Sequence, residues 1–198
     1  SIELAINTNL GVPDDLVNKL ILKINQLKEV GIKVDVYTSL ESVAEQAEYV
    51  RDGLVFDTWL SNIKRVLSET QSTVSIMTTV NILSLPTFDK FIETVMTLRK
   101  DFNKNFEHNR IPFSINYLRW PPYLQCTLLD VEDRNNYANL IESTAESWLK
   151  YYSSEKYARL YLEEWDQVKR FCDYLRNSDT EYTHRTDFVK FVNEYDIR

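Results

Sequence analysis

Asn7-Thr8-Asn9, Thr38-Ser39, Asn81 and Arg119 end four short runs rich in β-branched and aromatic residues. Their hydroxyls and carboxamides offer hydrogen-bond donors and acceptors without net charge, which suits a ribose or an adenine edge. The same residue types also cap turns, because Asn and Ser side chains bond nearby backbone. Taken singly, each position fits both roles; four polar strand ends in succession point to one shared pocket. Arg51, in Ala47-Glu48-Tyr49-Val50-Arg51, stands at helical spacing from Ala47 and Ala44. A guanidinium there suits a bidentate clamp on a carboxylate, or a surface pair with Glu48 or Asp52. Glu41, near the second strand end, is a candidate acid or base or a solvated carboxylate.

Other chemistries fit poorly. His108 and His184 are far apart, and neither H-x-x-x-H nor paired-cysteine spacing for zinc occurs. No G-x-S-x-G elbow is present. The chain has only three glycines, which excludes a dinucleotide G-x-G-x-x-G and a P-loop. Cys172 sits on an apolar helical stripe and reads as core, whereas Cys126, just after Pro121-Pro122, reads as a candidate for exposure. The aromatic tail of Tyr151, Tyr152, Tyr157, Tyr161, Trp165 and Tyr174 reads as helix packing.

The polar strand ends need elements to hold them. Strand-like runs cover Ile2 to Asn7, Lys33 to Thr38, Thr73 to Val80 and Pro112 to Arg119. Between them, apolar residues recur at helical spacing: Val17, Leu20, Ile24 and Leu27; then Phe56, Leu60, Ile63 and Leu67; then Phe88, Ile92, Val95 and Leu98. Asp14 and Asp15 suit the first helix start, and Pro86 lies near the third. Strand and helix in alternation predict βαβ units, a parallel sheet and every strand C-terminus on one side. Beyond about residue 132 the pattern is helical, with stripes Tyr137, Leu140, Ile141, Trp148 and Tyr161, Val168, Phe171, Leu175. The expected fold class is α/β: a partial (β/α) barrel with parallel strands over residues 1–125 and a mainly helical extension over 126–198.

The 198 residues carry a net charge of −7, against a general nucleic-acid binder, and no apolar run reaches the roughly 20 residues of a membrane span. The first residues show neither a basic n-region nor a cleavage pattern. Two cysteines make no disulfide framework, so the expected setting is reducing and cytoplasmic. Both ends read as cuts through a longer protein.

The ordered strand ends resemble the middle of a radical S-adenosylmethionine enzyme. Asn7-Thr8-Asn9-Leu10-Gly11 is similar to the T-N-G-like turn after that family's third strand. Tyr37-Thr38-Ser39-Leu40-Glu41, Arg51 and Asn62-Ile63-Lys64-Arg65-Val66-Leu67 resemble its fourth strand end, the following arginine and an N-x-x-x-L helix. Thr79-Val80-Asn81 is similar to its fifth strand end, and Phe113 to Arg119 would be the sixth strand. The resemblance covers residues 1 to about 125 and is nearest to phage or bacterial members with a twitch-type C-terminal extension.

The resemblance implies that Ser39 contacts the ribose or methionine part of S-adenosylmethionine, Arg51 its carboxylate and Asn81 the ribose. Asn7 and Thr8 would line the same pocket. It implies reductive cleavage to a 5′-deoxyadenosyl radical for hydrogen abstraction, from a substrate that a twitch extension makes a peptide or protein. The family's C-x-x-x-C-x-x-C loop, which holds a [4Fe–4S] cluster, does not occur in this sequence, nor does the glycine-rich motif after strand two. The resemblance places both before Ser1, so this chain alone should not cleave the cofactor. Two other functions fit the residues: a non-catalytic α/β interaction module, and a different (β/α)-barrel enzyme using Glu41 with other carboxylates.

Overall fold

The computed structural model describes residues 2–150 and 157–197, so Tyr151 and Tyr152 lie outside the described residues. All four β-type runs are strands: β1 (Ile2–Asn7), β2 (Ile32–Ser39), β3 (Val74–Val80) and β4 (Phe113–Tyr117). They pair in parallel and in chain order, with Asn7 beside Tyr37, Ser39 beside Met77, and Thr79 beside Asn116. Helix α1 (Asp14–Glu29) joins β1 to β2, α2 (Ala44–Val50) and α3 (Phe56–Glu69) join β2 to β3, and α4 (Phe88–Phe102) joins β3 to β4. Every crossover steps one strand in the same direction. Right-handed connections then put all these helices on one face.

Burial along the strands agrees. Val34, Val36 and Thr38 of β2 and Val74, Ile76, Thr78 and Val80 of β3 are buried, while the intervening residues are half-buried or exposed. Parallel sheets are commonly covered on both faces and read as continuous apolar runs. Here the sequence alternates because one face is open. That face carries Asp35, Tyr37, Ser39, Ser75, Met77 and Thr79. It is mainly polar.

After β4 come α5 (Val131–Lys150), α6 (Leu162–Asn177) and α7 (Arg185–Tyr195). Helix α6 closes the outer edge of β4: the Phe113 and Ile115 N–H groups donate to Glu164 Oε1 (3.2 Å) and Gln167 Oε1 (2.7 Å). An edge capped in this way presents fewer free donors to a further strand. Strand β1 is exposed along its length apart from half-buried Ile6. One apolar cluster runs from Leu10 through Val36, Ile76 and Phe91 to Phe171 and Leu175, so the helical extension shares the sheet's core. The sequence reading misplaces two side chains there. Leu140 is exposed, because α5 turns Ala138, Ile141 and Ala145 inward. Cys126, expected at the surface, is buried, because a turn of 3₁₀ helix (Cys126–Leu128) tucks it under the extension.

Three buried arginines tie the ends of elements together. Arg110 donates to the carbonyls of Leu67, Thr70 and Ser72, and Arg134 to those of Leu175 and Ser178. These carbonyls lie at the C-terminal ends of α3 and α6, where the last turn has no helical donors. Arg99 pairs with Glu164 in the core between α4 and α6. No helix among the described residues is long and apolar enough to cross a membrane.

Candidate functional site

The polar residues at the C-terminal ends of the strands frame two adjoining clefts. The larger, of 260 Å³, is lined by Asn7, Thr8, Tyr37, Ser39, Arg51 and Met77. The smaller, of 140 Å³, shares Asn9, Ser39 and Arg51 and adds Asp52 and Leu54. Four of the five residues that the resemblance assigns to the cofactor, Asn7, Thr8, Ser39 and Arg51, therefore meet in one place. Three separate segments bring them there.

The first segment is the turn after β1. Thr8 Oγ1 accepts the Leu10 N–H (3.1 Å), and Asn9 Oδ1 accepts the Gly11 N–H (3.1 Å). Leu10 adopts a left-handed backbone, φ 51°, which is unfavourable for a branched side chain. Its environment enforces it: the side chain is fully buried, and Asn62 Nδ2 donates to the carbonyls of Leu10 (2.7 Å) and Val12 (2.9 Å). Asn62, on α3, thus fixes the loop that carries Asn7 and Thr8. Ala44, at the start of α2, is also left-handed at φ 52°. Strained non-glycine residues held by their surroundings gather at binding sites.

The second segment is the end of β2. Ser39 lies on the open face with Tyr37, whereas Thr38 points to the helices and accepts the Trp59 Nε1–H at 3.1 Å. The third is the exit of α2. Arg51 ends the helix, and left-handed Gly53 (φ 80°) turns the chain back toward α3. Glu48, one of the expected partners of Arg51, instead accepts the Phe56 N–H at 2.9 Å. Arg51 NH2 binds Glu41 Oε2 at 2.6 Å, and this Glu41 carboxylate is buried, where a solvated one was expected. The Arg51 Nε donor is buried and has no partner among the described residues.

Asn81 is placed differently. Its Oδ1 accepts the N–H groups of Leu83 (2.9 Å) and Ser84 (3.2 Å), closing the turn after β3, and it lines neither cleft. Arg119 is exposed and stacks over the Tyr117 ring at 5.6 Å. Tyr37 and Met77 escaped the sequence reading. The period-two alternation that buries Thr38 and Thr78 would have placed both on the open face.

Helix α7 spans the same end of the sheet. Phe191 packs on Tyr123 in the loop after β4, and Tyr195 packs on Tyr49 of α2. The Tyr49 hydroxyl donates to Asp196 at 2.8 Å; burial, with Asp196 beside it, pushes its pKa up to about 12.

Cys126 and Cys172 are both buried, and burial pushes each thiol up to about 12. No group of three His, Cys, Asp or Glu side chains is arranged to hold a metal among the described residues. His184 pairs with Asp187 at 3.2 Å, away from the clefts. No family model, curated protein or solved structure matches the chain.

Proposed function

We propose that this chain is the S-adenosylmethionine-binding part of a radical S-adenosylmethionine enzyme, folded as a section of a partial (β/α) barrel. The observation that carries the reading is Arg51: a cleft-lining guanidinium paired with buried Glu41, its buried Nε donor unpaired among the described residues. An unpaired buried donor costs about 1–3 kcal/mol, which a ligand carboxylate would offset. In this reading Arg51 holds the methionine carboxylate, and Ser39, Asn7 and Tyr37 meet the ribose hydroxyls. Thr8 shapes the wall, because its hydroxyl accepts from its own turn. Met77 supplies the apolar floor. Asn81 supports the turn rather than the ribose.

The residues present do not fit a [4Fe–4S] cluster. Three cysteine thiolates are needed, and the two available are buried and held as thiols. The cluster-bearing part of the enzyme then lies outside this sequence, and further strands would join at the open edge of β1. The substrate is a peptide or protein, as the twitch-type resemblance implies.

Calorimetric titration of the chain with S-adenosylmethionine tests the reading. Saturable binding is expected, weakened about tenfold or more by Arg51→Ala. An absence of saturable binding, or an Arg51→Ala variant with unaltered affinity, overturns it. The exposed β1 edge favours a second reading, a non-catalytic interaction module. That reading predicts concentration-dependent association in sedimentation and no binding of the cofactor.

A further inference from the structure

A cavity of 350 Å³ opens at the other end of the sheet, between the last turn of α1, the start of β2 and the loop before β3. Ile24, Ile32 and Val34 give it an apolar wall, and Lys28, Lys33 and His108 stand around it. Nothing in the strand-end site uses these residues.

Two lysines stand at its rim. Lys33 is shared with Asp35 (3.2 Å) and Glu3 (3.5 Å), so much of its charge is answered. Lys28 pairs with no carboxylate among the described residues. Behind the wall, fully buried Arg110 donates, among the described residues, only to carbonyls and packs over the Phe106 ring at 4.2 Å. Burial lowers its pKa to about 10, which leaves it charged at neutral pH. A cation answered by dipoles alone extends its field to nearby space of low polarity.

Ser72 adds an unmet polar group. It lines the cavity, is 4 % exposed, and its hydroxyl has no hydrogen-bond partner among the described residues. Arg110 fixes the Ser72 carbonyl at 3.0 Å, which anchors this stretch of backbone. Apolar walls with a few convergent polar groups are the usual make-up of a small-molecule site.

We propose that this cavity binds a small organic anion, a monocarboxylate with an aliphatic or aromatic body. The body rests on Ile24, Ile32 and Val34, and the carboxylate meets Lys28, His108 and the Ser72 hydroxyl. The inference is independent of the S-adenosylmethionine reading, because the two sites share no residue.

Phenylacetate and its uncharged counterpart phenylacetamide are the probes, titrated into the full chain with labelled isoleucine methyl groups. Phenylacetate is expected to shift the Ile24 and Ile32 signals saturably, with phenylacetamide about tenfold weaker. Lys28→Glu, at the exposed end of α1, should weaken phenylacetate about tenfold while lowering the unfolding midpoint only slightly, through the helix dipole. Ser72→Ala should weaken it too, without loss of stability, since the hydroxyl makes no bond in the free protein. Equal binding of the two probes, shifts that do not saturate, or affinity untouched by Lys28→Glu overturns the proposal.

Discussion

Arg51 and Glu41 meet at 2.6 Å, with the Glu41 side chain 4 % exposed and that of Arg51 32 % exposed. A buried carboxylate holds one end of a guanidinium that lines a cleft. Removing the carboxylate's charge frees Arg51 to swing toward solvent. Glu41→Gln is expected to cost about 1–2 kcal/mol, less than a fully buried pair because Arg51 is partly solvated. Urea unfolding would show a lower midpoint at an unchanged slope. An unmoved midpoint would mean that Glu41 does not anchor Arg51.

Glu164 carries a heavier load. Its Oε2 accepts from Arg99 NH1 at 2.8 Å and from the Tyr161 N–H at 3.1 Å, while Oε1 accepts from Arg99 NH2 and from Phe113 N–H on the edge of β4. Arg99 is fully buried, so Glu164→Gln leaves a charge in the core without its counter-ion. A loss of about 3–5 kcal/mol is expected. Gln167→Ala, which frees only the Ile115 N–H, should cost about 1 kcal/mol. Comparable midpoints for the two variants would contradict this ranking.

Local pattern made the sheet legible. β-Branched runs bounded by helical spacings placed β1 on its observed residues and α1, α3 and α4 nearly so. Alternation of strand and helix implied a parallel sheet with its C-terminal ends together, and the polar strand ends marked Asn7, Thr8 and Ser39 as neighbours. Long-range pairing was not legible. Nothing local in the sequence says that Glu41 turns inward to meet Arg51, that Asn62 reaches back to Leu10 and Val12, or that Glu164 seals β4 from more than fifty positions away. Such contacts depend on how helices seat on the sheet, which periodicity does not encode. Asn81 shows the converse: the residue type suits a ligand contact and a turn cap equally, and only the backbone geometry after β3 decides between them.

Asn81→Ala separates those roles. The carboxamide oxygen accepts two backbone N–H groups in a buried turn, so its removal should cost about 1–2 kcal/mol. Affinity for S-adenosylmethionine should hold at temperatures where the variant is folded. Thermal unfolding followed by circular dichroism, with titration of the folded variant, checks both halves. A large loss of affinity at unchanged stability would return Asn81 to the ligand.

The two thiols give the protein a pH dependence of known sign. Burial raises the pKa of Cys126 and Cys172 to about 12, so the folded state holds these protons more tightly than the unfolded chain. The stabilisation is complete below the unfolded thiol value of about 8.5, and is lost as pH climbs from there toward the folded value. Urea midpoints should therefore be flat with respect to these groups near neutrality and fall in alkali. Replacing both cysteines with alanine should remove part of the alkaline slope, the buried Tyr174 hydroxyl, also raised to about 12, supplying another part. The same burial keeps both sulfurs from reagents and iron. In native buffer neither thiol should react with an aromatic disulfide, both should react after denaturation, and anaerobic reconstitution with iron and sulfide should leave no stoichiometric cluster on this chain. Rapid thiol titration in the native state would show that the extension opens over Cys126 or Cys172, and would remove the basis for both expectations.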